Sequence, residues 1–505
     1  MQPVCLDGER LTAEQVVAVA VGGEPVELSD TARGRMAAAR AVLMTALAEN
    51  RPVYGLTTGL GPRVSDRLTG DALAEFSVLT VRGRANAVGP PLSAELVRAA
   101  MAVRGNGLAT GGSGADPAVA ELLVAMLNSG VHPVVPRTGS IGASDLCLLA
   151  HIGLAMIGEG EVLAAGGERV GSGEALRAAG LEPLMLGPRD GLAICSASSL
   201  SAGAAALALC RAPSLLQSAN VAAALSMEGF RANLTPLDAR AAKARPAPGQ
   251  VACAGAIREL LAGASLAEPG AARRVQDPLS FRCASQVHGS LLMALDLLQA
   301  ALDPELNGAG DNPLVLIDDG EVLSTGNFHT PALALALDAT ALAVAQVAAL
   351  SSARPERLAT ERLSGLPANL TSLGPSRSGV AALLKIGSAL VEEIRHAAAP
   401  ASIGSARGAD GVEDDSTGAA LAALRLLTML EQLERVLALE LVVGAIAIDL
   451  AAPDRLAPAT GAAHRLVREL AEGLGDDRPL GADVERVAAG ALATGELNRR
   501  ARPTA

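Results

Sequence analysis

Past residue 200 the chain is written almost wholly in alanine- and leucine-rich stretches of helical periodicity, at about 199–227, 250–263, 283–303, 330–352, 378–398 and 416–451. Both residues are strong helix formers, and apolar segments of this length hide their faces only by packing on one another. A sandwich or barrel would need β-branched and aromatic residues in short alternating runs. Here valine and isoleucine are modest in number, and the 505 residues hold no Trp, one Tyr and four Phe. The sequence therefore predicts an all-α fold, a long central helical bundle behind a mixed, loop-rich N-terminal region. The division expected is 1–200 for the N-terminal region, where the chemistry is placed, and 201–505 for the long-helix bundle and C-terminal helices.

A net charge of −12 argues against nucleic acid or an anionic membrane surface as a partner. The six cysteines are scattered without paired spacing, so neither a disulfide framework nor a metal site is expected. Residues 191–210 carry no charge, enough length to raise a membrane span. Four serines and two glycines inside that run read better as a buried helix. With no basic-then-apolar leader at Met1-Gln2-Pro3-Val4, the chain reads as cytoplasmic.

The N-terminal region carries shorter helical patterns at about 11–22, 30–49, 71–84, 93–110 and 117–129, and a hairpin or loop at 158–172. Between them lie loops that a plain bundle does not need. Gly139 to Ala143, then Ser144-Asp145, leads into an uncharged run from Leu146 to Gly158, so Ser144 or Asp145 is placed to cap a buried helix. Val53-Tyr54-Gly55-Leu56-Thr57-Thr58-Gly59 holds the sole tyrosine on a glycine-rich loop, a position suited to general acid or base work. Three more polar loops follow, Asp303 to Pro313, Thr325 to His329 and Gly404 to Gly418. Amides and carboxylates interrupting apolar helices are expected where loops converge on one polar site.

Taken together these motifs resemble the aromatic amino acid ammonia-lyase family, the histidine and phenylalanine ammonia-lyases. The resemblance runs from Val53 to about Leu497. It rests on Tyr54-Gly55 with Thr58-Gly59, on Asn128 to Pro136, on Gly139 to His151, and on Arg245-Pro246 with Pro248-Gly249-Gln250. Val275-Gln276-Asp277-Pro278, Arg282-Cys283, Gln286 to Gly289, Asp311 to Val315, Gly326 to His329 and Glu413-Asp414 continue it in order. The resemblance implies an ammonia-lyase-like bundle and a carbon–nitrogen lyase of amino acid catabolism. It also implies a homotetramer with active sites shared between subunits. By the same resemblance Tyr54 is the catalytic base or acid and Arg282 holds the substrate carboxylate. Gln276, Asn312, Phe328 and Glu413 line the pocket.

The family's Ala-Ser-Gly tripeptide cyclises into an electrophilic methylidene-imidazolone (MIO), and here the chain departs from it. It reads Ala143-Ser144-Asp145, with the glycine missing and the downstream motif one residue early. Ser196 stands where the family has Asn, and Leu279 where it has Tyr after Gln-Asp-Pro. These losses lead to the expectation of no cofactor, with the prosthetic group not forming. In that respect the chain resembles ergothionases, which split ergothioneine into trimethylamine and thiourocanate. Lys385, a charge in the apolar 379–391 helix, is then a candidate acid or base with Glu413 as its partner. Arg84 takes the position of the family's selectivity residue and suits an acidic or thione-bearing side chain. The expected substrate is thus a small amino acid or betaine. The alternatives are a histidine or aromatic ammonia-lyase or aminomutase with an altered site, and a non-catalytic homologue.

Overall fold

The long helices form where the alanine- and leucine-rich stretches lie: Ser199–Phe230, Pro248–Leu260, Ala284–Asn307, Pro331–Leu358, Ala381–Ala397 and Ala419–Ala451. The computed structural model describes residues 3–69, 71–163, 167–404, 408 and 411–502. Strands are short and confined to small sheets. Val4–Leu6 pairs in parallel with Val26–Leu28, and Val88–Pro91 antiparallel with Pro136–Thr138. The hairpin expected at 158–172 is present as Glu161–Leu163 against Arg169–Gly171, with His132–Pro133 on its other edge.

Two compact units divide the chain, each assembled from three stretches. The first comprises Met1–Cys210, Leu298–Asp338 and Pro400–Leu424, and the second Arg211–Leu297, Ala339–Ala399 and Arg425–Ala505. A single boundary at 200 meets only the first of these divisions. Four long helices begin in one unit and end in the other, and that carries later segments back into the first.

In the first unit, helix Asp30–Ala48 is capped by the Ser29 hydroxyl, which accepts from the Ala32 N–H. It buries Ala32, Met36, Ala39, Leu43 and Ala46, a stripe of helical spacing. Helix Ala94–Ala109 is buried almost all round, which forces its polar residues to find partners inside. Arg98 donates to Val19 O at 3.0 Å and Leu127 O at 2.9 Å, carbonyls at the C-terminal ends of two neighbouring helices. A guanidinium suits that place because the last carbonyls of a helix lack partners and carry its negative dipole end.

The uncharged run 191–210 is two helices, not one. Asp190–Cys195 ends at Ser196, and Ser199 begins the next. Asp190–Phe230 and Pro331–Leu358 are long and apolar enough to cross a membrane, but 89% and 67% of their most apolar windows are buried within the protein. In the second unit Arg354 and Glu440 form an ion pair with both side chains 0% exposed, and Phe230 stacks on Phe281 at 4.2 Å between ring centroids.

Candidate functional site

The loop after helix Asp30–Ala48 is tied into a fixed shape by its own threonines. Thr57 Oγ1 donates to Arg51 O at 2.6 Å and accepts from Val53 N at 2.8 Å. The Leu68 N–H closes the far side onto Thr57 O. Gly55 is required twice over: its φ is +66°, and a Cβ there would stand 2.4 Å from Leu192 Cδ2. The turn presents Tyr54, whose phenol oxygen accepts from Gly61 N at 3.1 Å. Gly55→Ala is expected to destabilise this loop by about 1–2 kcal/mol from the left-handed backbone alone. That loss is read as a lowered thermal midpoint together with a reduced turnover.

The stretch 139–151 makes a tight reversal before helix Leu146–Met156. Gly142 lies at φ +89°, where a Cβ would meet Thr417 Oγ1 at 2.3 Å, and Ser144 follows at φ 63°. Thr417 Oγ1 donates to Gly142 O at 2.9 Å, and Ala143 pairs with His329. Asp145 does not cap its own helix with its side chain. Its carboxylate turns instead to the start of helix Ser199–Phe230, accepting from Ser201 N at 2.8 Å, Ser201 Oγ at 3.0 Å and Ser140 Oγ at 2.8 Å. It is fully buried, and burial raises its pKa against those hydrogen bonds. The site is that of a cap, supplied by a different chain segment to orphan N–H groups.

Three further loops meet this reversal. Ser198 Oγ donates to Phe328 O at 2.9 Å, and Asn312 Oδ1 accepts from Thr325 N at 3.0 Å. Asp311, beneath them, is 0% exposed and paired with Arg104 at 2.8 Å. The result is a cavity of about 220 Å³. Tyr54, Arg84, Ser196, Asn312, Phe328 and Glu413 all line it, as do Ala143 and Ser144 of the reversal. Asp145, next to Ser144 in the chain, is not among the lining residues.

Arg84 ends helix Asp71–Arg84 and makes no ion pair among the described residues, whereas its neighbour Arg82 is paired with Glu159. Burial pushes the Cys195 thiol up to about 12, with Arg84 acting against it. Burial likewise raises Cys147, Arg84 again opposing and Glu413 adding to the rise. The cavity thus holds a cation and a carboxylate whose fields overlap at Cys147.

Gln276, Arg282 and Lys385 belong to the second unit and do not line this cavity. Lys385 is exposed. Helix Ala381–Ala397 buries Leu383, Gly387, Val391 and Ile394, and Lys385 falls off that stripe. Gln276 is exposed, and Arg282 has a buried Nε without a partner among the described residues. Sequence reasoning missed Arg189 altogether. It is 1% exposed at φ 76°, and burial lowers its pKa to about 10. Its Nη2 donates to Pro313 O at 3.1 Å, and a Cβ on Gly55 would lie 3.6 Å from its Nη1, so it braces the Asn312 loop from within. No motif marks it.

Comparison with known proteins bears on this geometry. The aromatic amino acid lyase family matches residues 11–469. A histidine ammonia-lyase from Anaeromyxobacter sp. (strain K) is 41% identical over 498 residues, covering 96% of this chain and 98% of the relative. The solved ergothionase of Treponema denticola, an ergothioneine-degrading enzyme in complex with desmethyl-ergothioneine sulfonic acid, superposes with a TM-score of 0.94. It is 31% identical and is matched over 98% of this chain and 99% of its own. Histidine ammonia-lyase from Trypanosoma cruzi gives 0.92 at 33% identity, over 99% and 95% of the two chains.

These matches correct one expectation. The chain was expected to carry no prosthetic group, but histidine and aromatic ammonia-lyases carry MIO as their usual cofactor, so that expected absence is overturned. The residues present fit the group in part. Ser144 supplies the serine and sits in a tight, left-handed turn. Asp145 stands in the glycine's place, with its amide N–H donated to Ala197 O at 2.8 Å.

Proposed function

Because the chain belongs to the aromatic amino acid lyase family and is a carbon–nitrogen lyase, we propose that it eliminates the amine of a histidine-derived amino acid, with the betaine ergothioneine as the substrate its cavity supports best. The observation that carries this is Arg84, a guanidinium in the cavity wall that makes no ion pair among the described residues. A fixed cation disfavours an imidazole that gains a proton and favours a ring bearing a sulfur acceptor with thiolate character. The ergothionase likeness supports the same choice.

Elimination breaks the Cβ–H and Cα–N bonds and forms the α,β double bond. Tyr54 takes the β-proton, held toward the cavity by the Gly55 turn and the Gly61 N–H. Arg282 holds the substrate carboxylate, in a homotetramer whose sites take Gln276, Arg282 and Lys385 from other subunits in the cytoplasm. A trimethylammonium leaves as a neutral amine with the C–N electron pair. The family's prosthetic group, when formed, supplies electrophilic activation of the departing amine, and Ala143, Ser144 and Asp145 would hold it.

A second reading is histidine elimination, favoured by the 41% identity to a histidine ammonia-lyase. Incubation with each substrate separates the two. Trimethylamine and a new ultraviolet-absorbing acid are expected from ergothioneine, and ammonia from histidine with no release from ergothioneine would overturn the first reading. Arg84→Met is expected to lower kcat/KM for ergothioneine about 10–100-fold, the worth of one charge-assisted hydrogen bond. Its thermal midpoint should not move, since no ion pair among the described residues is lost.

A further inference from the structure

The first unit holds a second cavity, of about 260 Å³, which shares Phe328 with the first. The same loops wall both spaces. Ser196 and Asn312 line the first, Ala197, Ser198 and Gly310 line the second, and Phe328 lines each. Among the second cavity's lining residues only Arg104 and Glu305 are ionisable. Arg104 is neutralised by Asp311 at 2.8 Å, while Glu305 makes no ion pair among the described residues.

Two helix ends bear on the same space. Glu305 lies in the last turn of helix Ala284–Asn307, and Pro304 and Gly308 line the space beside it, so the negative end of that helix dipole opens here. The positive end of helix Ser199–Phe230 opens here too, but the Asp145 carboxylate already takes its Ser201 N–H. The field left over suits a small cation. Burial raises Glu305 to about 7, and a cation arriving beside it draws out the charged form. Phe328 adds an aromatic ring of the kind alkylammonium ions contact.

We propose that this second cavity receives the amine released by elimination, a trimethylammonium or ammonium ion, with Glu305 as its charge partner and Phe328 as the side chain common to both spaces. The inference rests on the elimination reading above. The amine leaves the α-carbon neutral, carrying the C–N electron pair, and takes the proton of the Glu305 carboxyl. An ammonium–carboxylate pair results, and Glu305 recovers a proton from solvent once the ion departs.

Product-inhibition kinetics on the full chain test this, with trimethylammonium chloride and ammonium chloride added separately against varied substrate. Whichever amine the reaction releases is expected to inhibit noncompetitively, because it binds apart from the substrate. Glu305→Gln should weaken that inhibition about 10-fold or more, and Glu305→Asp should retain most of it. Ala309→Leu, which fills the cavity without changing a charge, should weaken it as well. Inhibition that is competitive with substrate, or undiminished in both Glu305→Gln and Ala309→Leu, would overturn the site. Failure to turn over either ergothioneine or histidine would instead sink the elimination reading, so the two failures are distinct.

Discussion

Tyr54→Phe is expected to cost roughly 10²- to 10⁴-fold in kcat on whichever substrate the enzyme turns over, the usual share of general acid–base catalysis. The substitution removes one oxygen, the one that accepts from Gly61 N, and leaves the ring in its place on the Gly55 turn. KM should change little, because the carboxylate and ring contacts are assigned to other residues. The comparison that sharpens the test is Glu413→Gln, since Glu413 is the other acid lining the cavity among the described residues. A Tyr54→Phe enzyme with unaltered kcat would move the base to Glu413. Loss in Tyr54→Phe with retention in Glu413→Gln places it on the phenol.

The largest effect on stability is expected far from that chemistry. Glu440 accepts from Arg354 Nη2 at 2.7 Å and from Ser226 Oγ at 2.8 Å, and Arg354 Nε and Ser351 also donate to it. Both charged partners are 0% exposed. Glu440→Leu would strand a buried guanidinium, and about 3–5 kcal/mol is expected to be lost. The double variant Arg354→Met with Glu440→Leu should recover much of it, because two apolar side chains leave no uncompensated charge. Urea midpoints of the three proteins measure this. A single variant as stable as the parent would mean that water reaches the pair.

Helix positions were largely legible because alanine and leucine leave little else to form. The stretches at 283–303 and 330–352 were closed before Pro304 and Pro355, yet both helices run through them, to Asn307 and Leu358. Proline this near a helix end removes few ladder bonds, and packing carries the last turn. The break at Ser196–Ser198 was hidden by the uniform lack of charge in 191–210, which says what is buried but not where the backbone turns.

The site was legible where chemistry is written in one residue type. Tyr54, Arg84, Ser196, Asn312, Phe328 and Glu413 share a cavity; the glycine-rich and amide-rich loops marked where it would lie, and the family resemblance named most of its residues. Asp145 was visible as a possible cap, but its target, Ser201, lies 56 residues on and shares no local pattern with it. Arg189 gave no signal, since a lone charge beside a proline looks like any surface residue, and Glu305 lay in the polar stretch Asp303 to Pro313 with nothing to single it out from its neighbours. Lys385 lies off the buried stripe of its helix, a placement that the apolar run around it does not write.

The first unit's discontinuity bears on how the chain is made. The cavity's wall is contributed in instalments from Tyr54 to Glu413, and the unit's last stretch ends at Leu424. Domains made in one continuous run fold as they leave the ribosome, N-terminal first. Here the Tyr54 loop emerges long before the residues that close over it. For most of synthesis the glycine turns and the alanine-rich faces of the nascent chain wait without their partners.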